Sequence, residues 1–297
     1  MIAKPTIIPP APVAVIGLGN MGIPMACRLL KAGYRVTGFD LSEPARRKFA
    51  AAGGGIADRA EEAVKSADLV IALLPDGRAV REALAPLRQH LKPGCIVVDM
   101  SSSEPLGTRA LGESFLAAGF EFVDAPVSGG VKRAADGTLA IMAGGDPASI
   151  DRLDPVFSAM GRSIFRTGAL GSGHAMKALN NYVSAAGLIA AVEATAIGAK
   201  FGLDPNLMAD IFNASTGRNN TTEVKLKQFI ISKTFAAGFP LRLMAKDVRT
   251  ADDLARALAV PVPLADTCAK LWDAASQSLG EAADHTEIGR YIERLKA

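Results

Sequence analysis

Residues 13–40 constrain the fold more than any other stretch of this chain. Val13-Ala14-Val15-Ile16 is a short apolar run of strand character, and Gly17-Leu18-Gly19-Asn20-Met21-Gly22 follows it at once. A helical stretch then runs to Lys31, a second strand is expected over 35–39, and Asp40 closes it. Gly-x-Gly-x-x-Gly alone is weak evidence, but between a strand and a helix, with an acid about twenty residues on, it is specific. Gly17 permits the tight turn, Gly19 lets a pyrophosphate approach the backbone, and Gly22 lets helix and strand pack closely. The helix N-terminus faces the phosphate charge. Asp40 stands where a carboxylate accepts hydrogen bonds from the adenosine ribose hydroxyls. The competing reading, a tight turn with no ligand, leaves Asp40 unexplained.

The alternation of strand and helix continues. Leu69 to Leu74 reads as a buried strand stopped by Pro75, and Asp76 is placed to cap the next helix. Ile96 to Asp99, Phe122-Val123, Leu139 to Ala143 and Ser163 to Arg166 are further strand candidates. This order implies an α/β fold, a doubly wound, mostly parallel sheet with helices on both faces. Ligands gather at the carboxyl ends of such strands. Leu74-Pro75, Ser101-Ser102 and Ser128-Gly129-Gly130 all fall at such ends. After Thr167 the strands stop, and helices are expected at 171–201, 204–214, 222–233, 240–259, 263–278 and 284–295. The expected organisation is a dinucleotide-binding Rossmann domain over 1–167 and an all-helical domain over 168–297.

At 297 residues the chain has room for about two domains. A net charge of +3 is too small to suggest a nucleic-acid surface. Cys27, Cys95 and Cys268 show no CxxC spacing, which fits reduced thiols and a cytoplasmic protein. The first dozen residues, with Pro5, Pro9, Pro10 and Pro12, read as a frayed start and not a targeting signal. The 182–199 run is nearly long enough to span a membrane, but Glu193 interrupts it and its small residues suit close helix packing. His90, His174 and His285 are far apart and no HExxH occurs, so no metal is expected.

The chemistry is expected at Gly171-Ser172-Gly173-His174-Ala175-Met176-Lys177-Ala178-Leu179-Asn180-Asn181. Lys177 and Asn181 are four apart, so on a helix they share one face. Their side chains lean toward the helix N-terminus, the end of positive partial charge. An ammonium and an amide aimed together suit a substrate with a hydroxyl and a carboxylate. The plainer reading is a core helix whose first turn happens to hold a lysine. Tyr182 to Ala199 is apolar on nearly every side, which predicts a helix buried all round. One small domain cannot cover that much apolar surface, so a homodimer or homotetramer is expected.

Together these motifs resemble the β-hydroxyacid dehydrogenase family, over about residues 13–288. Val15 to Ala26 is similar to its cofactor signature, Asp124 to Gly130 (DAPVSGG) to its substrate loop, and Gly171 to Asn181 to its catalytic segment. Phe239-Pro240 and Lys246-Asp247 are similar to its later signature. The resemblance implies reversible hydride transfer between a nicotinamide and the 3-hydroxyl carbon of a small hydroxy acid. It implies Lys177 as general acid/base and Asn181 as its substrate-binding neighbour. The carboxylate would be held by the Ser128 hydroxyl and the amides of Gly129 and Gly130. Such a turn exposes donors with no side chain in the way. The implied cofactor contacts are Gly17, Leu18, Gly19, Asn20, Met21, Gly22, Asp40, Leu74, Pro75, Ser102, Phe239 and Lys246. A free lysine titrates near 10.4. Service as a base therefore needs a downward shift, by burial or by a neighbouring cation such as Lys246.

Two departures from the resemblance bear on substrate and cofactor. Ser102 stands where relatives often have threonine, and the hydroxyl is kept. Ser215 to Thr222 is more polar than in 3-hydroxyisobutyrate dehydrogenases, which favours a polyhydroxylated acid over a methyl-bearing one. Lys132 and Arg133 are either anion-attracting or simply solvated. A 2′-phosphate would lie against Asp40, so NAD is expected over NADP; Arg46 or Arg47, a turn or more into the following helix, would not remove that repulsion by reaching back. An imine reductase or a non-catalytic dinucleotide-binding module of the same fold are the rival readings, and Lys177 argues against both.

Overall fold

The computed structural model describes residues 4–295. The chain divides into two compact units, Met1–Lys177 and Ala178–Ala297.

The first unit alternates strands and helices. Its elements are β1 (Pro12–Ile16), α1 (Gly22–Lys31), β2 (Arg35–Phe39), α2 (Glu43–Ala51), β3 (Gly55–Ile56), α3 (Ala60–Val64), β4 (Leu69–Ala72) and α4 (Gly77–Leu87). There follow β5 (Ile96–Asp99), α5 (Pro105–Ala117), β6 (Glu121–Asp124), β7 (Val127–Ser128), α6 (Gly130–Asp136), β8 (Leu139–Gly144), α7 (Pro147–Met160) and β9 (Gly161–Gly168). The strand order is β3-β2-β1-β4-β5-β6-β8-β7, with β9 paired to β8. Pairing is parallel from β3 through β6; β8 runs antiparallel to β6 and β7 and parallel to β9. The two-residue strands β3 and β7 carry too little pattern to be seen in the sequence.

The strands read as apolar runs because both faces are covered. Val13, Val15, Leu69, Ile71, Ile96 and Val98 face one core. Ala14, Ile16, Val70, Ala72 and Val97 face another. The chain winds outward from β1 to β3 and then returns to β4 on the other side of β1. The carboxyl ends of β1 and β4 are therefore the reversal point where open sheets hold ligands. Asp76 caps α4 as expected, its Oδ1 accepting from the Ala79 amide at 2.8 Å.

The start of the chain is not frayed where it is described. Ile7 is buried and its amide donates to the Arg152 carbonyl at 2.9 Å. Arg152 Nε donates to the Pro5 carbonyl, and the Tyr34 hydroxyl to the Ile7 carbonyl. The prolines remove amide donors, but carbonyl acceptors and Ile7 suffice to tie the segment to α7.

The helical part consists of α8 (Ser172–Phe201), α9 (Pro205–Ala214), α10 (Asn220–Val224), a π-helical turn (Leu226–Ile231), α11 (Leu241–Ala257), α12 (Pro263–Leu279), a 3-10 turn (His285–Glu287) and α13 (Ile288–Arg294). Ala185, Leu188, Ile189 and Val192 of α8 join Leu241, Val248 and Trp272 in its core. α8 is not covered all round, however. Val183 is 68% exposed, Ile197 71% and Phe201 85%. By length and composition α8 could cross a membrane, but its inner stripe is the spine of a protein core. The expected helix over 222–233 also breaks, at Lys225 (φ −126°, ψ −39°). The wider turn beyond it keeps Leu226 and Ile230 both on the buried side.

Candidate active site

The glycine loop shows three glycines required for three different reasons. Gly17 has φ +103°, and a Cβ there would stand 2.2 Å from the Leu73 carbonyl oxygen. A Cβ at Gly22 would stand 2.1 Å from the Gly17 oxygen, so helix and loop touch through bare backbone. At Gly19 a Cβ would meet nothing within 4 Å, which leaves the open approach a pyrophosphate needs. The residues present thus fit a dinucleotide. Leu18, Asn20 and Met21 complete the loop, and the Leu18 amide donates to Asp40 Oδ2 at 2.7 Å. Asp40 Oδ1 accepts from the Ser42 amide at 2.8 Å. Arg46 folds back and donates to the Asp40 carbonyl at 2.6 Å, while Arg47 pairs with Glu43.

Beside the loop, Leu74 and Pro75 follow β4. The Leu74 amide donates to Ser101 Oγ at 2.9 Å, which links the ends of β4 and β5. Buried Asp99 holds the serine turn that contains Ser102, accepting from the Ser101 amide and the Ser103 hydroxyl. Ser128 ends β7, and Gly129 (φ +138°) and Gly130 (φ +69°) turn the chain into α6 with exposed backbone. A Cβ at Gly130 would meet nothing within 4 Å. Lys132 is exposed and pairs with Asp136 along α6, the solvated reading of that lysine.

The first turn of α8 is clamped by a carboxylate. Asp124 is fully buried, and its two oxygens accept from the Gly171 and His174 amides, each at 2.7 Å. Burial pushes Asp124 above the usual carboxylate range, while the His174 ring and those two amides act in the opposite direction. His174 is itself buried, its Nδ1 2.8 Å from Thr108 Oγ1. Its Nε2 has no hydrogen-bond partner and lies 3.7 Å from Asp99 Oδ2. His174 therefore steadies the helix start one turn before Lys177. Asp124 heads the DAPVSGG motif, yet nothing in the sequence tells that its side chain caps a helix about fifty residues on.

In the second unit, Asn181 Nδ2 donates to Asp247 Oδ2 at 2.5 Å, both residues being buried. Asp247 also pairs with Lys246 at 2.9 Å. Phe239 meets the His285 ring edge-on, with centroids 5.7 Å apart. The Gly238 and Phe239 amides donate to Asp284, whose partial burial would raise its carboxyl but which hydrogen bonds from His285 and Thr286 hold below the usual carboxylate range. Lys225 Nζ lies 3.3 Å from Ser184 Oγ on α8. Asn181, Phe239 and Lys246 stand in legible sequence motifs. Lys225 does not, because the helical pattern of the sequence runs unbroken through its position.

A model of the NAD-binding domain of 6-phosphogluconate dehydrogenase matches residues 12–168. One described as the NAD-binding part of NADP-dependent 3-hydroxyisobutyrate dehydrogenase matches residues 171–292. The NAD-dependent L-serine dehydrogenase of Pseudomonas aeruginosa is 38% identical over 269 residues, spanning 88% of this chain and 90% of that protein. The 2-(hydroxymethyl)glutarate dehydrogenase of Eubacterium barkeri is 34% identical over 264 residues, 88% of each chain. The structure of Mycobacterium tuberculosis 3-hydroxyisobutyrate dehydrogenase with L-serine superposes with a TM-score of 0.89 at 33% identity, covering 95% of this chain and 99% of that one. Matches running through both units, over a cradle shaped for NAD or NADP, mean that this chain belongs to the β-hydroxyacid dehydrogenase family, an oxidoreductase acting on the CH–OH group of hydroxy acids.

Proposed function

We propose that the protein oxidises a 2-substituted 3-hydroxypropionate to the corresponding aldehyde acid, reversibly, with NAD preferred over NADP. Three relatives are named for 3-hydroxyisobutyrate, serine and 2-(hydroxymethyl)glutarate. These molecules share the 3-hydroxypropionate frame and differ in the group on carbon 2.

The observation that carries the reading is the placement of Lys177 and Asn181 four residues apart on α8, with Asn181 held by Asp247. Lys177 Nζ takes the hydroxyl proton during oxidation and returns it to the carbonyl oxygen during reduction. Asn181, its amide fixed by a buried carboxylate, presents its remaining N–H to the same oxygen. Ser128 and the backbone amides of Gly129 and Gly130 hold the substrate carboxylate. Gly17 to Gly22, Asp40, Leu74, Pro75 and Ser102, together with Phe239 and Lys246, are the residues assigned to the dinucleotide. A nicotinamide dinucleotide held there would supply the hydride acceptor or donor for the hydroxyl carbon. The clamp on Gly171 and His174 by Asp124 fixes where α8 begins and so where Lys177 stands.

Replacing Lys177 with Ala should cut turnover by about 10²–10⁴-fold, the usual worth of a positioned acid/base. Dinucleotide affinity should stay unchanged, since the glycine loop lies elsewhere in the chain. NADH formation measured across a panel of 3-hydroxy acids tests both points. Near-normal turnover by Lys177→Ala would remove the lysine from the mechanism. No turnover of any hydroxy acid, with tight NADH binding, would leave a binding module.

A further inference from the structure

The ring of His174 is fully buried between two buried carboxylates, Asp99 and Asp124, which are register partners at the ends of β5 and β6. All three residues belong to the first unit, as does Lys177, one turn further along α8. The backbone of that turn is held without the ring. Asp124 takes the Gly171 and His174 amides, and a Cβ at Gly173 would stand 2.2 Å from the Met142 carbonyl oxygen, so the turn has no room to slide. The ring itself therefore has other work.

Its two nitrogens are placed differently. Nδ1 lies 2.8 Å from the Thr108 hydroxyl oxygen, a group able to give it a proton or to accept one, and 3.7 Å from Asp124 Oδ2. Nε2 has no hydrogen-bond partner among the described residues, and Asp99 Oδ2 lies 3.7 Å from it. A bare Nε2 would set a lone pair against a carboxylate, where no protein donor reaches it, and a buried acceptor left unmet is costly. A proton on Nε2 makes the same atom a donor facing Asp99. Thr108 serves a bare nitrogen only on the Nδ1 side, so whichever state Nδ1 takes, the proton belongs on Nε2.

Asp99 is also the carboxylate that shapes the serine turn. Its Oδ1 accepts from the Ser101 amide at 2.9 Å and its Oδ2 from the Ser103 hydroxyl at 2.7 Å. Ser101 Oγ in turn accepts from the Leu74 amide at 2.9 Å. One chain of contacts thus runs from Leu74 through Ser101 and Asp99 to the His174 ring, and one helical turn leads from His174 to Lys177.

We propose that His174 is a positioning residue for the dinucleotide and the acid/base together: its ring, carrying a proton on Nε2, holds Asp99 and the serine turn in register with the turn of α8 that bears Lys177. This rests on the hydroxy-acid reading above and on its assignment of Leu74, Ser102 and Lys177. At 3.7 Å the N–H and the carboxylate attract as dipole and charge, short of a hydrogen bond.

Two experiments on the full chain test it. The first needs no turnover. The chain has three histidines, so isotope-labelled histidine gives few ring signals by nitrogen NMR, and the set lost in a His174 variant is its own. Proton-bearing and bare ring nitrogens resonate far apart. His174 should show a proton on Nε2, and a bare Nε2 overturns the proposal. The second experiment replaces half of the ring at a time. The side-chain amide of His174→Gln extends about as far as Nε2, that of His174→Asn only as far as Nδ1, and His174→Leu offers neither. NADH affinity by fluorescence titration should fall about tenfold in the Asn and Leu variants, and His174→Gln should restore most of it. With NAD saturating, kcat on a 3-hydroxy acid should fall about ten- to a hundredfold in the same two variants, the usual effect of a small misplacement of a reacting group. KM for the acid should stay unchanged, because Ser128, Gly129 and Gly130 hold its carboxylate. Unchanged NADH affinity in both variants overturns the proposal and leaves the ring a plain helix-start contact. So does a Gln variant no better than Leu. If His174→Leu does not fold, the Gln and Asn variants and the NMR of the unaltered protein still decide. Failure of the hydroxy-acid reading would show separately, as no turnover by the unaltered protein with the NADH and NMR results intact.

Discussion

The two units of this chain build their special positions from opposite materials. In the first, the positions that matter are glycines, and what they offer is backbone: a turn at Gly17, an open approach at Gly19, a close contact at Gly22. In the second they are charged and amide side chains, Asn181, Lys225, Lys246, Asp247 and Asp284, brought together from separate helices and turns. The first unit buries both faces of its sheet under two apolar cores. The second leaves Val183, Ile197 and Phe201 of its central helix exposed. Backbone-built sites tolerate almost no change at the glycine but ask little of their neighbours. Side-chain-built sites can be retuned one residue at a time. That is the physical setting in which a family can keep a nicotinamide dinucleotide and vary its substrate.

The largest effect that sharpens this contrast should come from Gly17. Gly17→Ala must place a Cβ 2.2 Å from the Leu73 oxygen at φ +103°. The dihedral alone costs about 1–3 kcal/mol, and the Leu73 carbonyl must move as well. We expect a clear fall in melting temperature and loss of NADH binding by fluorescence titration. Gly19→Ala is the matched control: its Cβ meets nothing within 4 Å, so stability should change by no more than about 0.5 kcal/mol. Cofactor affinity should still drop by about tenfold or more, because the new methyl occupies the pyrophosphate approach. Equal melting temperatures for the two variants would break the distinction between a glycine required by the fold and one required by the ligand.

The same contrast explains which features are legible in the sequence and which are not. The strand, glycine loop, helix and Asp40 lie within one continuous stretch of about thirty residues, so local spacing specifies both their fold and their ligand. The Asp124 clamp on Gly171 and His174 joins positions 47 and 50 residues apart, which no local pattern reports. Lys225 is hidden differently. Helical periodicity runs through 222–233 without a glycine or proline to mark a break, and tertiary packing of Leu226 and Ile230 overrides it. At the segment from Pro5 the prolines suggest fraying, whereas the carbonyls and the one buried isoleucine that anchor it carry no local signal. Burial pushes the Cys95 thiol up to about 12.

A second, intermediate effect concerns the exposed side of α8. We propose that a second copy of the chain covers it, giving a homodimer or homotetramer. Val183, Ile197 and Phe201 are large, apolar and more than two-thirds exposed, and Leu207 and Ile211 of α9 are more than half exposed. Complete burial of one such side chain stabilises by about 1.5–3 kcal/mol. Phe201→Asp with Ile197→Asp should therefore shift sedimentation toward the monomer while leaving the NADH-binding constant of the first unit unchanged. An unaltered protein that sediments as an active monomer at assay concentration would sink the proposal. It would also leave the exposed side of α8 as an unexplained difference between the two units.

The smallest effect concerns cofactor choice, at a place in the first unit where side chains rather than backbone decide. Asp40 keeps its carboxylate at the end of β2, one oxygen on the Leu18 amide and the other on the Ser42 amide. A 2′-phosphate arriving there would set two anions side by side. Arg46 is closer than its place in α2 suggests, because its guanidinium folds back onto the Asp40 carbonyl at 2.6 Å. It offsets part of the repulsion but leaves the carboxylate in place. One charged contact is worth about 1.5–3 kcal/mol, or roughly ten- to a hundredfold. We therefore expect NAD to exceed NADP by at least about tenfold in kcat/KM. Asp40→Asn, which retains an acceptor for the Leu18 amide, should narrow that gap, and Arg46→Ala should widen it. Steady-state kinetics with both cofactors decides the matter. Equal or better use of NADP by the unaltered enzyme would mean that Arg46, and not Asp40, sets the charge at this end of the cradle.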